Sequence, residues 1–437
     1  MNFYNSLFSE QYISQNIQIL VLLVLVLFLG FIIIRYSINY LDNEPNKNKF
    51  LFLILITLIV SSIFICTNNL LMIFCAWFVL SFSINQLLRF YPDRPLAIIA
   101  AKKKLFVSLL ANFLFLAGIY LIYTEFNTFN IELLPKQVSA VSEFAFVLIA
   151  FAVVLKSAQI PFHGWIIQVM EAPTPVSALL HAGVVNLGGI LLIKLQYIFQ
   201  MHFWGQFVLL VFGSITLFLA SLTMLTATSI KVRLAWSTCA QMAFMLVECA
   251  LGLYDMALLH IVGHSLYKAY SFLTCGFIVT RTIEKRIFGN ISFTNYIRTF
   301  FAPVLAGFLI ILFAQLWQQD LRFIMIALLS FAISPLFWHK IKFIKALILV
   351  NAFFLLHNLF SSHNSVHSFL NFEYITTFVL TSLYCCQIVI LFFNHKKSIS
   401  KFYHLIYNGF YLDSSLTKLV LNTQSYNLLN YKKLFRV

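Results

Sequence analysis

Apolar residues in this chain come in long unbroken runs set apart by short polar or basic stretches, with almost none of the two-residue alternation of a half-buried strand. The runs lie near 16–36, 50–66, 69–89, 105–124, 143–160, 175–198, 206–228, 233–252, 254–280, 299–318, 321–337, 343–361 and 374–393. Each is about 17–25 residues long, enough for a helix to cross the ~30 Å hydrocarbon layer. Helices are the required form, because backbone groups facing lipid must be satisfied within their own segment. The pattern predicts an all-α polytopic transmembrane bundle of about thirteen spans, filling residues 1–393 as one domain, with a short basic tail over 394–437. The linkers leave no room for a soluble domain. No positively charged region precedes the first run, so a cleaved signal peptide is not expected.

Composition agrees: 61% of residues are hydrophobic, 10% are charged and the mean hydropathy is +0.90, which places the chain in a membrane. The formal net charge of +15 raises the question of a nucleic-acid partner, and the location of the basic residues answers it. With the amino terminus outside and the spans alternating, 24 of the 29 Lys and Arg fall in cytoplasmic segments, including Lys102, Lys103 and Lys104 and a basic carboxy-terminal tail. Only Lys136 and Arg322 lie outside. That asymmetry is the positive-inside signature of topology in a bacterial inner membrane, so lipid is the expected partner and nucleic acid is not.

Three lysines remain within spans: Lys156, Lys194 and Lys268. Lys194 is near a helix end and can snorkel to the interface. Lys156 and Lys268 cannot, and they read either as functional groups or as structural hydrogen-bond donors to carbonyls exposed at a helix break. A lysine at mid-bilayer costs about 2.5–3.5 kcal/mol on an insertion scale and is kept where it faces a protein interior or a hydrated path. Desolvation penalises its charged form, which lets it both gain and lose a proton.

The stretch "LKSAQIPFHGWIIQVMEAPTPVSALLHAG", from Leu155, opens with one of these lysines and then meets Pro161. Proline removes a backbone donor and clashes with the preceding turn, so the span is expected to break between Lys156 and Pro161, leaving carbonyls free beside the charge. A short half-helix over 162–170 follows, then a turn through Glu171 and Pro173. Thr174 is placed to cap the next helix, with Pro175 in its first position. Glu171 reads either as a partner for a buried cation or as a solvated loop acid. His181, one turn beyond the break, is a pathway candidate.

A second constellation is "LLHIVGHSLYKAYSFL", from Leu258. The four-residue spacing of His260, His264 and Lys268 stacks them on one helix face over about 12 Å. Two imidazoles and an amine in line read as stepping stones for protons, with a purely structural role for one of the two histidines as an alternative. The competing reading is metal binding by His-x-x-x-His, for which the pattern supplies no third ligand. Secondary candidates are Glu248, which also reads as an acid snorkelling to the outer surface, and His357, which also reads as a hydrogen-bonded ring. The seven cysteines have no Cys-x-x-Cys spacing, and no Walker or Gly-x-Gly-x-x-Gly loop is present, so no cofactor is expected in this chain.

The blocks "LKSAQIPFHGWIIQVMEAPTPVSALLHAG", "KVRLAWSTCAQMAFM" and "LHIVGHSLYKAYSFLTCG" resemble the antiporter-like membrane subunits, the family of complex I subunit 5 and the large Mrp sodium/proton antiporter subunits, over about 70–280. Within it, "FYPDRPLAIIAAKKKLFVS" and the proline block are nearest to the DabB type, the membrane half of an energy-coupled inorganic carbon transporter. The resemblance implies that Lys156 is the broken-helix lysine and that His260, His264 and Lys268 are the central relay. It also implies a cytoplasmic partner, a zinc β-carbonic-anhydrase-like subunit of the DabA type, which hydrates CO2 to bicarbonate while this non-enzymatic chain supplies proton flux. Complex I relatives place an acid after a tryptophan in an earlier span; here Phe78 stands at that place, and Asn112 replaces a second acid. The rival readings are a pumping or Na+/H+ antiporter subunit of a complex I- or Mrp-like assembly, an intramembrane metalloenzyme and an inert membrane anchor.

Overall fold

A computed structural model of the chain describes residues 10–135, 137–169, 172–275, 294–317, 321–334, 343–360, 370–393, 403–413 and 417–418. Its helices are α1 (Glu10–Tyr40), α2 (Lys47–Cys66), α3 (Leu70–Leu88), α4 (Pro95–Phe126), α5 (Ala140–Lys156), α6 (Gly164–Gln168), α7 (Thr174–Ala182) and α8 (Leu187–Lys194). There follow α9 (Gln196–Phe199), α10 (Phe203–Thr226), α11 (Ile230–Ala250), α12 (Tyr254–Leu273), α13 (Thr294–Leu316), α14 (Phe323–Ile333), α15 (Phe343–Phe360) and α16 (Leu370–Phe393). Among the described residues the only strand-like pairing is one bridge, Asn69 with Asn130, that ties two loops together.

Each apolar run read from the sequence overlaps a helix among the described residues, although the runs over 143–160 and 175–198 are interrupted. Among the described residues seven helices are long and apolar enough to cross a membrane by themselves, the α7–α8 pair counting as one. The other runs are shorter or carry the polar residues discussed below.

Burial separates a rim from a centre. One third of the apolar window of α1 is buried against 89% of that of α7–α8, so the broken pair is the axis around which the other spans pack. On the rim, α1 turns Leu20, Val24, Phe28 and Phe31 outward while Leu22, Leu25, Leu29 and Ile33 face in. Large apolar side chains on the outside are what a lipid solvent asks for. Among helices in lipid, association comes from close packing and polar contacts, and small residues permit the approach. Gly213 of α10 shows this: a Cβ there would lie 3.0 Å from the Ala243 carbonyl of α11.

Three expectations change. The helix after Pro95 starts about three turns before the predicted span at 105, so Lys103 and Lys104 lie inside the bundle, 0% and 5% exposed, rather than in a cytoplasmic loop. The span over 175–198 is itself discontinuous: α7 stops at Gly183, a 3₁₀ turn covers Val184–Asn186, and α8 resumes at Leu187. Thr174 does not cap α7. Pro173 occupies the cap position, Thr174 is the first helical residue, and no side chain bonds the exposed amides.

Lys194 is buried and serves a structural purpose. Its ammonium donates to the carbonyls of Ile65 (2.7 Å), Phe64 (3.4 Å) and Thr67, the orphan acceptors at the end of α2. Those carbonyls have no helical partner, and the lysine of another span supplies one. Lys194→Ala is expected to cost about 1–3 kcal/mol, read as a lower midpoint in detergent unfolding of the purified protein. An unchanged midpoint would remove this role.

Candidate functional site

α5 ends at Lys156 because the next residues leave helical geometry: Ser157 is at φ −88°, ψ 17°, and Ala158 is left-handed at φ 53°. The break runs over 157–163, and the half-helix beyond it is only α6, shorter than the 162–170 expected. A donor stranded by the break, the Ile160 amide, is received by Thr216 Oγ1 of α10 at 3.0 Å, which fixes the irregular segment to a rigid span.

The Lys156 ammonium does not turn to carbonyls at its own break. It donates to Ser81 Oγ of α3 at 2.8 Å and lies 4.9 Å above the Trp77 ring, where the quadrupole of the indole attracts a cation. Ser81 Oγ in turn donates to the Trp77 carbonyl at 2.8 Å. Lys104 of α4 donates to the Ser81 carbonyl at 3.0 Å, and Asn112 Nδ2 lies 3.4 Å from Ser81 Oγ. One serine therefore serves two buried amines from two other helices. Phe78, at the place of the missing acid, faces outward at 40% exposure, so Trp77 and Ser81 are what α3 offers Lys156.

The second group lies on α12 and α11. His264 and Lys268 are buried on one face of α12, with His260 one turn earlier and its ring centroid 6.2 Å from that of His264. His260 Nδ1 pairs with Glu248 Oε2 at 2.9 Å. Glu248, 2% exposed, is thus an internal acid holding the first histidine and not one that snorkels outward. Lys268 donates to the Leu234 carbonyl of α11 at 2.9 Å, which also accepts from Thr238 Oγ1 at 3.1 Å. Thr238 Oγ1 is 3.0 Å from His181 Nδ1, and the His181 ring stacks on Phe272 of α12 at 4.5 Å. His181 consequently joins the Lys268 group rather than Lys156. Asn186, in the α7–α8 break, donates to the Ala182 carbonyl at 3.0 Å and to Ser265 Oγ at 2.7 Å, tying that break to α12.

Among the described residues neither Lys104, Lys156 nor Lys268 has a carboxylate partner, and no three His, Cys, Asp or Glu side chains gather as metal ligands. Ser157 Oγ, Gln159 Oε1, Ser177 Oγ, His181 Nε2 and both ring nitrogens of His264 are buried without a protein partner. Groups of this kind, adjoining the two clusters, need water to satisfy them. Glu171 lies outside the described residues, as does the expected helix break at Pro335. His357 packs its ring on Phe353 at 5.6 Å on α15.

Ser81, Trp77, Thr238, Lys103 and Lys104 were not among the expected site residues. A signal for Lys104 was present in Ala100, Lys104, Ser108 and Asn112, a small and polar stripe at four-residue spacing, all buried.

A family profile described as NADH:quinone oxidoreductase/Mrp antiporter, transmembrane, matches residues 67–318. The chain is 41% identical over 320 residues to a probable inorganic carbon transporter subunit DabB of Hydrogenovibrio crunogenus, covering 72% of this chain and 61% of that one. It is 42% identical over 277 residues to the DabB2 subunit of Halothiobacillus neapolitanus, covering 62% and 50%. The chain thus spans between half and two thirds of these relatives. Its fold matches a chain of the Mrp complex from Dietzia with a TM-score of 0.63 at 20% identity, over 86% of this chain and 48% of that one.

The His260–Glu248 contact is expected to show a coupling energy between about 0.5 and 3 kcal/mol in a double-mutant cycle of Glu248→Gln and His260→Gln. The cycle is read from unfolding of the detergent-solubilised protein; coupling indistinguishable from zero would show that the pair contributes nothing.

Proposed function

Because the chain belongs to the NADH:quinone oxidoreductase/Mrp antiporter family, we propose that it is the proton-conducting membrane subunit of a two-component inorganic carbon transporter of the DabB type. The observation that carries this reading is the pair of buried amine clusters, Lys104–Ser81–Lys156 and Lys268–Leu234–Thr238–His181, set beside two discontinuous helices. A buried lysine with a single neutral oxygen to donate to, unlike Lys194 with its three carbonyls, is a poor structural element, since an uncompensated charge in a low-dielectric interior is expensive. It is a serviceable proton carrier. The names of the relatives at 41% and 42% identity supply the cargo, inorganic carbon.

With the amino terminus outside, the His260–Glu248 end of α12 faces the outer side and the start of α4, with Lys103 and Lys104, faces the cytoplasm. Protons then pass from His260 to His264 and Lys268, across to His181 through Thr238, and on to Lys156 and Lys104. Water bound at the unpartnered groups near Ser157, Gln159 and Ser177 bridges the two clusters. Glu171 is placed by the sequence near the inner end, and His357 is a secondary relay on α15.

The flux serves a cytoplasmic partner resembling a zinc β-carbonic anhydrase, which holds the metal and hydrates CO2 to bicarbonate. Each proton crossing 100 mV releases about 2.3 kcal/mol, enough to bias an equilibrium by more than tenfold. Coupling hydration to this downhill inward proton flow makes it one-directional.

Lys268→Ala, expressed with its soluble partner in a host lacking carbonic anhydrase, is expected to abolish growth in air while the complex still assembles in the membrane. Rescue equal to that by the unaltered chain would overturn the relay.

A further inference from the structure

The segment beyond the last span returns to the bundle. Residues 403–407 form a helical turn with Ile406 fully buried, Phe410 packs on the main core, and Gly409 lies against the Trp236 ring of α11. The same ring carries His163 of the α5–α6 break at 4.9 Å between centroids. This docking brings Asp413 to the mouth of the broken helix. Lys103 Nζ lies 2.8 and 3.0 Å from its two carboxylate oxygens, Gln168 of α6 donates at 3.1 Å, and Thr417 Oγ1 is 3.4 Å away.

Three features distinguish this contact from a surface ion pair. The Lys103 side chain is 0% exposed and that of Asp413 is 30% exposed, so one carboxylate links a sealed amine to water. Position 164 is glycine where any side chain would collide: a Cβ there would lie 1.5 Å from Asp413 Oδ1. And Lys103 adjoins Lys104 in the chain, whose ammonium shares Ser81 with Lys156. The other titratable group facing the carboxylate is His163, close enough to interact with both Asp413 and Lys103.

We propose that Asp413 is the proton-release group at the inner end of the lysine path, an acid delivered by the segment after the spans to a core in which, among the described residues, Lys104, Lys156 and Lys268 have no carboxylate partner. The Lys103 ammonium passes one proton to the carboxylate, leaving a neutral amine and a carboxylic acid. The acid releases that proton to cytoplasmic water, and the amine is recharged from the path. This rests on the proton-conduction reading above.

The test uses the complete two-subunit complex in proteoliposomes holding a pH-sensitive dye, with an imposed membrane potential and the amount of assembled complex measured. Asp413→Asn keeps the size and an acceptor oxygen but cannot carry a proton, and is expected to lower flux at least about tenfold. Asp413→Glu is expected to retain most of it, and formate on the inner-face side to restore much of the loss in Asp413→Asn. Gly164→Ala, which keeps the carboxylate but displaces it, is expected to lose flux comparably. Flux in Asp413→Asn equal to the unaltered complex would overturn the proposal, as would a loss shared by Asp413→Glu and unrelieved by formate, which marks a purely structural latch. Absence of flux in the unaltered complex would instead refute the conduction reading, and this one with it.

Discussion

An ammonium group removed from water must find an oxygen or a ring face within the protein, and the interior of this bundle is arranged around that requirement. Lys194, Lys104, Lys156 and Lys268 each solve it with neutral acceptors: helix-end carbonyls, a serine carbonyl, a serine hydroxyl over an indole, and a carbonyl one turn from a threonine. The differences among these solutions separate architecture from chemistry. Lys194 caps a helix end with several carbonyls. Lys156 and Lys268 each donate to one oxygen, and both lie near helix breaks.

The broken helices follow from the same requirement. Irregular backbone at membrane depth is tolerated only where protein or water satisfies it. Thr216 receives the Ile160 amide, and Asn186 bridges the Ala182 carbonyl to Ser265. Each break is therefore held by a side chain from within the bundle, which keeps it in place without closing it into a regular helix.

Much of the architecture was legible in the sequence, because apolar runs, Pro161 and the four-residue spacing of His260, His264 and Lys268 act locally. The break at Gly183 was less so, since no proline marks it and the apolar run passes straight through. Lys103 and Lys104 were misplaced for a different reason. A run of three lysines reads as interfacial when the span is drawn by hydropathy alone, and only the helix starting at Pro95 and the small polar stripe along it turn two of them inward. His181 and Glu248 were found as residues, but their partners come from other helices, and no single-chain periodicity contains that pairing. The fold of residues 403–413 onto α11 and the α5–α6 break was out of reach for the same reason.

Ser81 carries a final implication. Its hydroxyl hydrogen points at the Trp77 carbonyl while its lone pair receives the Lys156 ammonium. A neutral amine at Lys156 could accept instead of donate, and a rotation of that one hydroxyl would then reverse the bond. The backbone oxygen of the same residue holds Lys104. A single small rotor thus stands between two neighbouring amines, and its direction answers to the charge of Lys156 while the Lys104 bond stays on the backbone.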